Sequence, residues 1–250
     1  MQKKIHDYPG KKAVVTYDSK RCIHAAECVR GLPGVFDPDR TPWIQPDNAD
    51  SDAVSEVISR CPTGALQIDR RDDGGSEPAL GPNTVLVIKD GPLYVRGTIE
   101  LVNPDGSVLS KETRVALCRC GLSSNKPLCD NSHRNGFEDP GSLGTGGFGS
   151  SEANLHDDER RITLARNGPL LCAGPVEIVD ADGTNRRSGG KTALCRCGAS
   201  RNKPSATAPI VRSVFQPTPF DGWNYFQTES KSKIVFGRFN VWSTKYWSLG

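Results

Sequence analysis

The chain contains a copy of part of itself, and this constrains its folding more than any other feature. Gly91 to Pro127 aligns with Gly168 to Pro204 without a gap at an offset of 77 residues, and 18 of the 37 pairs are identical. Shared segments include Gly91-Pro92-Leu93 with Gly168-Pro169-Leu170, and Ala116-Leu117-Cys118-Arg119-Cys120-Gly121 with Ala193-Leu194-Cys195-Arg196-Cys197-Gly198. A duplication asks for one small unit built twice. The repeated segment is made of short strand-like runs, Val85 to Lys89, Leu93 to Val95, Thr98 to Val102 and Arg114 to Leu117, with a turn at Pro104-Asp105-Gly106.

The second constraint is the cysteine count. Nine is odd, and the first twenty residues lack the apolar run of a secretion signal, so a disulfide framework is disfavoured and metal or redox chemistry is favoured. No stretch reaches the roughly 18 apolar residues of a spanning helix. The expectation is a cytoplasmic chain with no membrane partner. Outside residues 205–250 the charge is balanced, 27 basic against 27 acidic side chains with no basic stripe, so nucleic acid is not an expected partner either.

The first repeat carries Cys118-x-Cys120-x8-Cys129-x3-His133. Two cysteines one residue apart on an extended segment can face one centre, and a Cys-x3-His pair closes its ligands on one helical face. Three thiolates and an imidazole also suit a structural zinc site, which stays open as the alternative.

At these residues the chain resembles the CDGSH iron-sulfur proteins (mitoNEET-like), whose pattern is C-x-C-x2-[ST]-x3-P-x-C-D-G-[SAT]-H. Every defined position from Cys118 to His133 matches except Asn131, where the family has Gly. Asn is among the residues that best tolerate a positive φ, so the turn should survive. The resemblance implies a 2Fe-2S cluster, with Cys118 and Cys120 on one iron and Cys129 and His133 on the other. Three thiolates leave the oxidised core less negative than four would, so a potential above that of all-cysteine plant-type ferredoxins is expected. Protons compete with iron for the imidazole, so acid should release the cluster, and His133→Cys should suppress that release.

The second repeat matches at Cys195, Cys197, Ser200 and Pro204, but Ala206 and Ile210 stand where the third cysteine and the histidine belong. Two ligands cannot hold this cluster. Ser205 to Phe215 can be encoded by a nucleotide sequence that, read after one inserted T, restores Cys-Asp-Gly-Thr-His. Ten of the chain's 17 aromatic residues follow Pro204 without clear periodicity. Residues 205–250 therefore read as a frame-shifted tail, with a diverged β-rich extension as the alternative. Cys172 aligns with Val95 and reads as an apolar core position.

The N-terminal region holds Cys22-x5-Cys28-x32-Cys61-Pro62. Bacterial ferredoxins use Cys-x2-Cys-x2-Cys with a distant Cys-Pro, and here Ala25 takes the middle place. Three thiolates suit a 3Fe-4S cluster, or a 4Fe-4S cluster with a different fourth ligand; small buried hydrophobes with no metal are the alternative. Together with Pro33-Gly34-Val35-Phe36-Asp37 and Cys61-Pro62-Thr63-Gly64-Ala65-Leu66, the segment resembles the divergent mono-cluster ferredoxin domain found beside CDGSH domains. His24 lies one position before the missing cysteine and is read as a surface or loop residue rather than a ligand. The region is expected to form an apolar strand from Ala13 to Tyr17, a short helix after Cys22, a helix from Ser51 to Arg60 capped by Asp50 or Ser51, and a strand from Ala65 to Ile68. In the second helix Val54, Val57, Ile58 and Cys61 recur with helical spacing.

The expected architecture is α+β: a ferredoxin-like domain over residues 1–76, a β-rich CDGSH domain over 81–140, a Gly/Ser-rich linker over 141–160, a degenerate second CDGSH repeat over 161–204, and the atypical tail. The glycines from Gly141 to Gly149 lack the Lys and Thr of a phosphate loop, so a linker is preferred. The expected job is electron transfer, or cluster storage and transfer, with a redox or cluster-acceptor protein as partner. No base-activated nucleophile, carboxylate pair or cofactor loop accompanies the ligands, so no enzyme is expected. By resemblance the tandem halves pack as a pseudo-dimer within one monomer, with a homodimer as the other arrangement.

Overall fold

The structure, a computed structural model, describes residues 4–72, 74, 81–146, 148–149 and 159–207. The chain is strand-rich with short helices. Its N-terminal part is an antiparallel sheet of β1 (Ile5–Pro9), β2 (Ala13–Asp18) and β3 (Leu66–Arg70), with β2 in the middle. Helix α1 (Glu27–Gly31) and helix α2 (Ser51–Ser59) lie between β2 and β3 in sequence. The expected spacing is realised in α2, where Val54, Val57 and Ile58 are buried and join Ala13, Val15, Phe36, Ile44, Leu66 and Ile68 in one core. Asp50 occupies the position before the first helical turn, as expected, but its side chain makes no capping bond.

The repeated part folds as β4 (Thr84–Val87), β5 (Leu93–Val102) and β6 (Val108–Leu117), then β7 (Glu159–Leu164), β8 (Leu170–Val179) and β9 (Arg186–Leu194). Where two strands were expected, Leu93 to Val95 and Thr98 to Val102, there is one, with a register shift between Arg96 and Ile99. That irregularity has a use. On one side β5 pairs with β4 through Leu93–Arg96, and beyond the shift it pairs in parallel with β7 of the other repeat through Thr98–Val102. Strand β8 does the same in reverse, pairing with β7 through Leu170–Ala173 and with β4 through Glu177–Val179.

Each repeat therefore inserts its first strand between itself and its copy. The sheet closes on itself, leaving β6 and β9 as outer partners of β5 and β8. Inward side chains of both repeats share one core, in which Val85, Val95, Leu101, Ile162, Leu170 and Ile178 are buried. Cys172 lies in that core at 1% exposure, as its alignment with Val95 anticipates.

The Gly/Ser-rich stretch after Pro140 is strapped down where it is described, which corrects the expectation of a free linker. The N–H of Gly144 donates to Lys203 O at 2.9 Å and that of Thr145 to Asn202 Oδ1 at 2.6 Å, and Leu143 and Phe148 pack against the shared core. Residues 147 and 150–158 lie outside the described residues. So does the tail from 208 onward, and with it Ile210 and nearly all of the segment read as frame-shifted.

Candidate metal centres

Strand β6 delivers the first pair of candidate ligands, Cys118 and Cys120. As the chain leaves β6 it stays extended, so Cys118 and Cys120 point to one side and Arg119 to the other. The two Sγ atoms lie 3.6 Å apart. Arg119 is fully buried; its Nε donates to Gly91 O at 3.0 Å, its Nη2 to Ile88 O at 2.5 Å, and its Nη1 pairs with Asp139. The arginine ties the ligand segment to the β4–β5 turn. Arg196 repeats this in the second half, with bonds of 2.7 Å to Gly168 O and Ala165 O. The shared Arg was visible in the duplicated sequence, but its role was not.

The second pair comes from the loop that follows. Cys129 Sγ and His133 Nδ1 are 3.3 Å apart, with a 3-10 turn over Ser132–Arg134 bringing the imidazole back to the thiol. Asp130 builds this loop: its carboxylate accepts from Ser124 N at 2.8 Å, Ser124 Oγ at 2.7 Å and Ser132 N at 3.0 Å. Partial burial works against ionisation there, yet the Ser132 and Ser124 bonds hold the carboxyl at about 2. Asn131 sits at φ 73, so it adopts the left-handed conformation expected of the family's Gly.

The electrostatics suit soft-metal ligation. The contact between the two thiols raises Cys118 and lowers Cys120 to about 7. Burial pushes the Cys129 thiol up to about 11. Burial, followed by the nearby Arg134, lowers His133, which favours the neutral imidazole that a metal needs. Backbone N–H groups of Leu122 and Asn131 point at Cys120 Sγ and Cys129 Sγ, each at 3.4 Å.

Two donors on one tetrahedral metal with bonds of about 2.3 Å sit roughly 3.8 Å apart. Both pairs have about this spacing. Among the described residues, however, no three His, Cys, Asp or Glu side chains converge on a point that could hold one metal ion. What the first half does show is two close donor pairs, Cys118 with Cys120 and Cys129 with His133.

In the second half the loop keeps its path through Thr207, the last described residue, with Ala206 at the position of Cys129. Cys195 and Cys197 hold their sulfurs 3.6 Å apart, and Ser200 Oγ donates to Ser205 O as Ser123 Oγ does to Leu128 O.

The three N-terminal cysteines are all half-buried. The thiols of Cys22 and Cys61 both act electrostatically on Cys28, whose own thiol burial raises to about 11. For Cys61 burial raises the thiol, but bonds from the Thr63 side chain and the backbone of Leu66 and Thr63, with the Arg114 charge, leave it below its ordinary value. His24 is exposed at φ 54; its backbone N–H lies 3.5 Å from Cys22 Sγ, and Ala26 is likewise at φ 64. Two non-glycine residues in this strained region lie within the Cys22 to Cys28 loop, a pattern common at ligand sites.

A family model described as divergent 4Fe-4S mono-cluster matches residues 8–71, and one described as iron-binding zinc finger CDGSH type matches residues 90–134 and again 167–205. The chain therefore carries a divergent mono-cluster domain of the YjdI type at its N-terminus, followed by two segments of CDGSH iron-binding type. Its N-terminal part is 43% identical over 60 residues to uncharacterized protein YjdI of Escherichia coli strain K12, an alignment covering 24% of this chain and 79% of that protein. The protein of the same name in Escherichia coli O157:H7 aligns equally well. No solved structure shows a significant match. No described helix is long and apolar enough to cross a membrane.

The CDGSH part touches the N-terminal unit directly. The first CDGSH segment is bonded to it through Arg21 and Glu112, whose side chains meet at 2.9 Å with only 8% and 6% exposure. Arg114 Nη2 also donates to Leu66 O at 2.8 Å. Gly64, at φ 63, lets this approach occur, because a Cβ there would stand 2.7 Å from Arg114 O. Tyr94 lies where both Cys129 and Cys61 act on it. Gly64 and Leu66 stood in the motif quoted from the sequence, but nothing there marked Arg21, Glu112, Arg114 or Tyr94 as bridging residues.

Proposed function

We propose that this chain is a non-catalytic iron-sulfur protein: an α+β ferredoxin-like unit followed by a CDGSH tandem in which only the first half is loaded. The observation that carries this reading is the pair of pairs, Cys118 with Cys120 at 3.6 Å and Cys129 with His133 at 3.3 Å. Two pairs suit a 2Fe-2S core, one pair on each iron, better than the four donors around one ion that a zinc module would need. Cys22, Cys28 and Cys61 would hold a 3Fe-4S or 4Fe-4S cluster. When bound, such clusters take up and return one electron at a time.

The protein's residues shape that chemistry. Buried Cys118, Cys120 and Cys129 keep water from three ligands, and N–H groups of Leu122 and Asn131 stabilise thiolate charge. Electron transfer, or cluster storage and transfer, in the cytoplasm is the role we assign, with a redox or cluster-acceptor protein as partner. Anaerobic iron, zinc and acid-labile sulfide per chain, with the visible spectrum of the same sample, test it. Five or six iron with matching sulfide is the expected result and two of each would leave only the CDGSH site filled, whereas zinc without sulfide would overturn the reading.

A further inference from the structure

Asn131 is the one departure from the CDGSH pattern in the first half, and the structure gives its side chain a task that Gly could not perform. Its Nδ2 donates to Ile23 O at 2.8 Å, across 108 residues of chain, while its backbone N–H points at Cys129 Sγ. Ile23 directly follows the ligand Cys22. A single residue thus links the N-terminal ligand loop to a ligand of the CDGSH site. Asn125 adds a second bond of the same kind, from Nδ2 to Lys20 O at 2.9 Å. Beneath these bonds Ile23, at 5% exposure, forms a small apolar cluster with Ala116 and Cys129, to which Ala25 and Tyr94 are joined.

We propose that Asn131 is a positioning residue that clasps the Cys22 loop over Cys129, making the N-terminal unit the covering partner of the CDGSH site within the same chain. The inference rests on the proposed function for its assignment of Cys22 and Cys129 as ligands. The bonds themselves stand apart from that assignment. The clasp uses neutral amide donors to backbone carbonyls, so it does not depend on salt. Cys129 is kept dry by apolar residues of the other unit, so loosening the clasp admits water to one ligand of the pair.

The test compares the full chain with Asn131→Gly and Asn131→Asp. Both replacements tolerate the left-handed conformation at this position, and neither can donate to Ile23 O. Hydrogen exchange of the Arg21 to Ala26 amides should rise about five-fold in both variants, the factor of one net hydrogen bond. Bleaching of the visible band at mildly acidic pH should speed up by a similar factor, with initial iron and sulfide unchanged; Asn125→Ala should move both readouts the same way. Unchanged exchange in both Asn131 variants would overturn the clasp, and faster exchange with unchanged bleaching would overturn its covering role. Iron and sulfide in the parent chain report on the functional reading separately, because exchange can be followed whatever metal is bound.

Discussion

The N–H of Ala206 donates to the carbonyl of Ala193 at 2.8 Å, the bond that Cys129 makes to Ala116 at 2.9 Å in the first half. The second half has therefore kept the backbone of a ligand loop up to the third ligand position, with a methyl group where the sulfur should be. Scaffold and ligand set have separated, since the closed sheet is held by strand pairing and shared core that need no cluster.

That separation gives the first prediction. Cys195→Ser should leave iron and sulfide per chain unchanged, whereas Cys118→Ser or Cys129→Ser should remove about two of each. Iron and sulfide analysis of the three purified variants checks it; loss of iron in Cys195→Ser would mean that the second half takes part in holding a cluster.

Arg119 leads to the second. It is fully buried, serves the carbonyls of Gly91 and Ile88, pairs with Asp139 and stacks on Phe137 at 5.1 Å. A lysine cannot reproduce the planar fork, so Arg119→Lys strands at least one buried acceptor and should cost ~1–3 kcal/mol. Thermal unfolding checks this, and the variant should also release iron faster because Cys118 and Cys120 lose the anchor between them.

The third concerns the contact between the two halves. Gly121 sits at φ 82, and a Cβ there would meet Cys197 O at 2.6 Å; Gly106, at φ 88, has open space around it. Gly106→Ala should cost only the left-handed strain, ~1–2 kcal/mol. Gly121→Ala adds a backbone clash between the two ligand loops and should cost ~2–4 kcal/mol. Urea midpoints of the pair read the difference, and equal midpoints would mean that the halves separate more easily than their packing suggests.

What the sequence made legible divides by range. The Cys118 to His133 donors, the helical spacing of α2 and the repeat were all readable, because each is written in residues close together or at a fixed offset. Strand β1 was not: four of its five residues are exposed, so it has no apolar alternation, and it exists because β2 offers an edge. The exchange of β4 and β7 between repeats left no trace either, since the alternating burial of each strand reads alike whichever neighbour it pairs with. Asn131 was visible only as a departure from a pattern. Its partner Ile23 lies in another unit, and no local rule connects them.

The last prediction is a pH dependence at the β8–β9 turn. Both oxygens of Asp180 are used: Oδ1 accepts from Thr184 N at 2.9 Å and Asn185 N at 3.2 Å, and Oδ2 from Asn185 Nδ2 at 2.6 Å and Thr184 Oγ1 at 3.3 Å. The Asn185 side-chain bond leads the causes that hold this carboxyl below its ordinary value. A carboxyl depressed in the folded state stabilises above its unfolded pKa, about 3.9, and that contribution is lost as pH falls through the folded value. Asp180→Ala should therefore unfold at a lower temperature than the parent at pH 7 and at pH 5. The gap should narrow as pH falls below about 4, the unfolded value, and close as it passes the parent's lower folded value. Thermal midpoints of both proteins at pH 7, 5 and 3 measure it, and a gap that stays constant across that range would place the turn's stability in its backbone rather than in the ionised side chain.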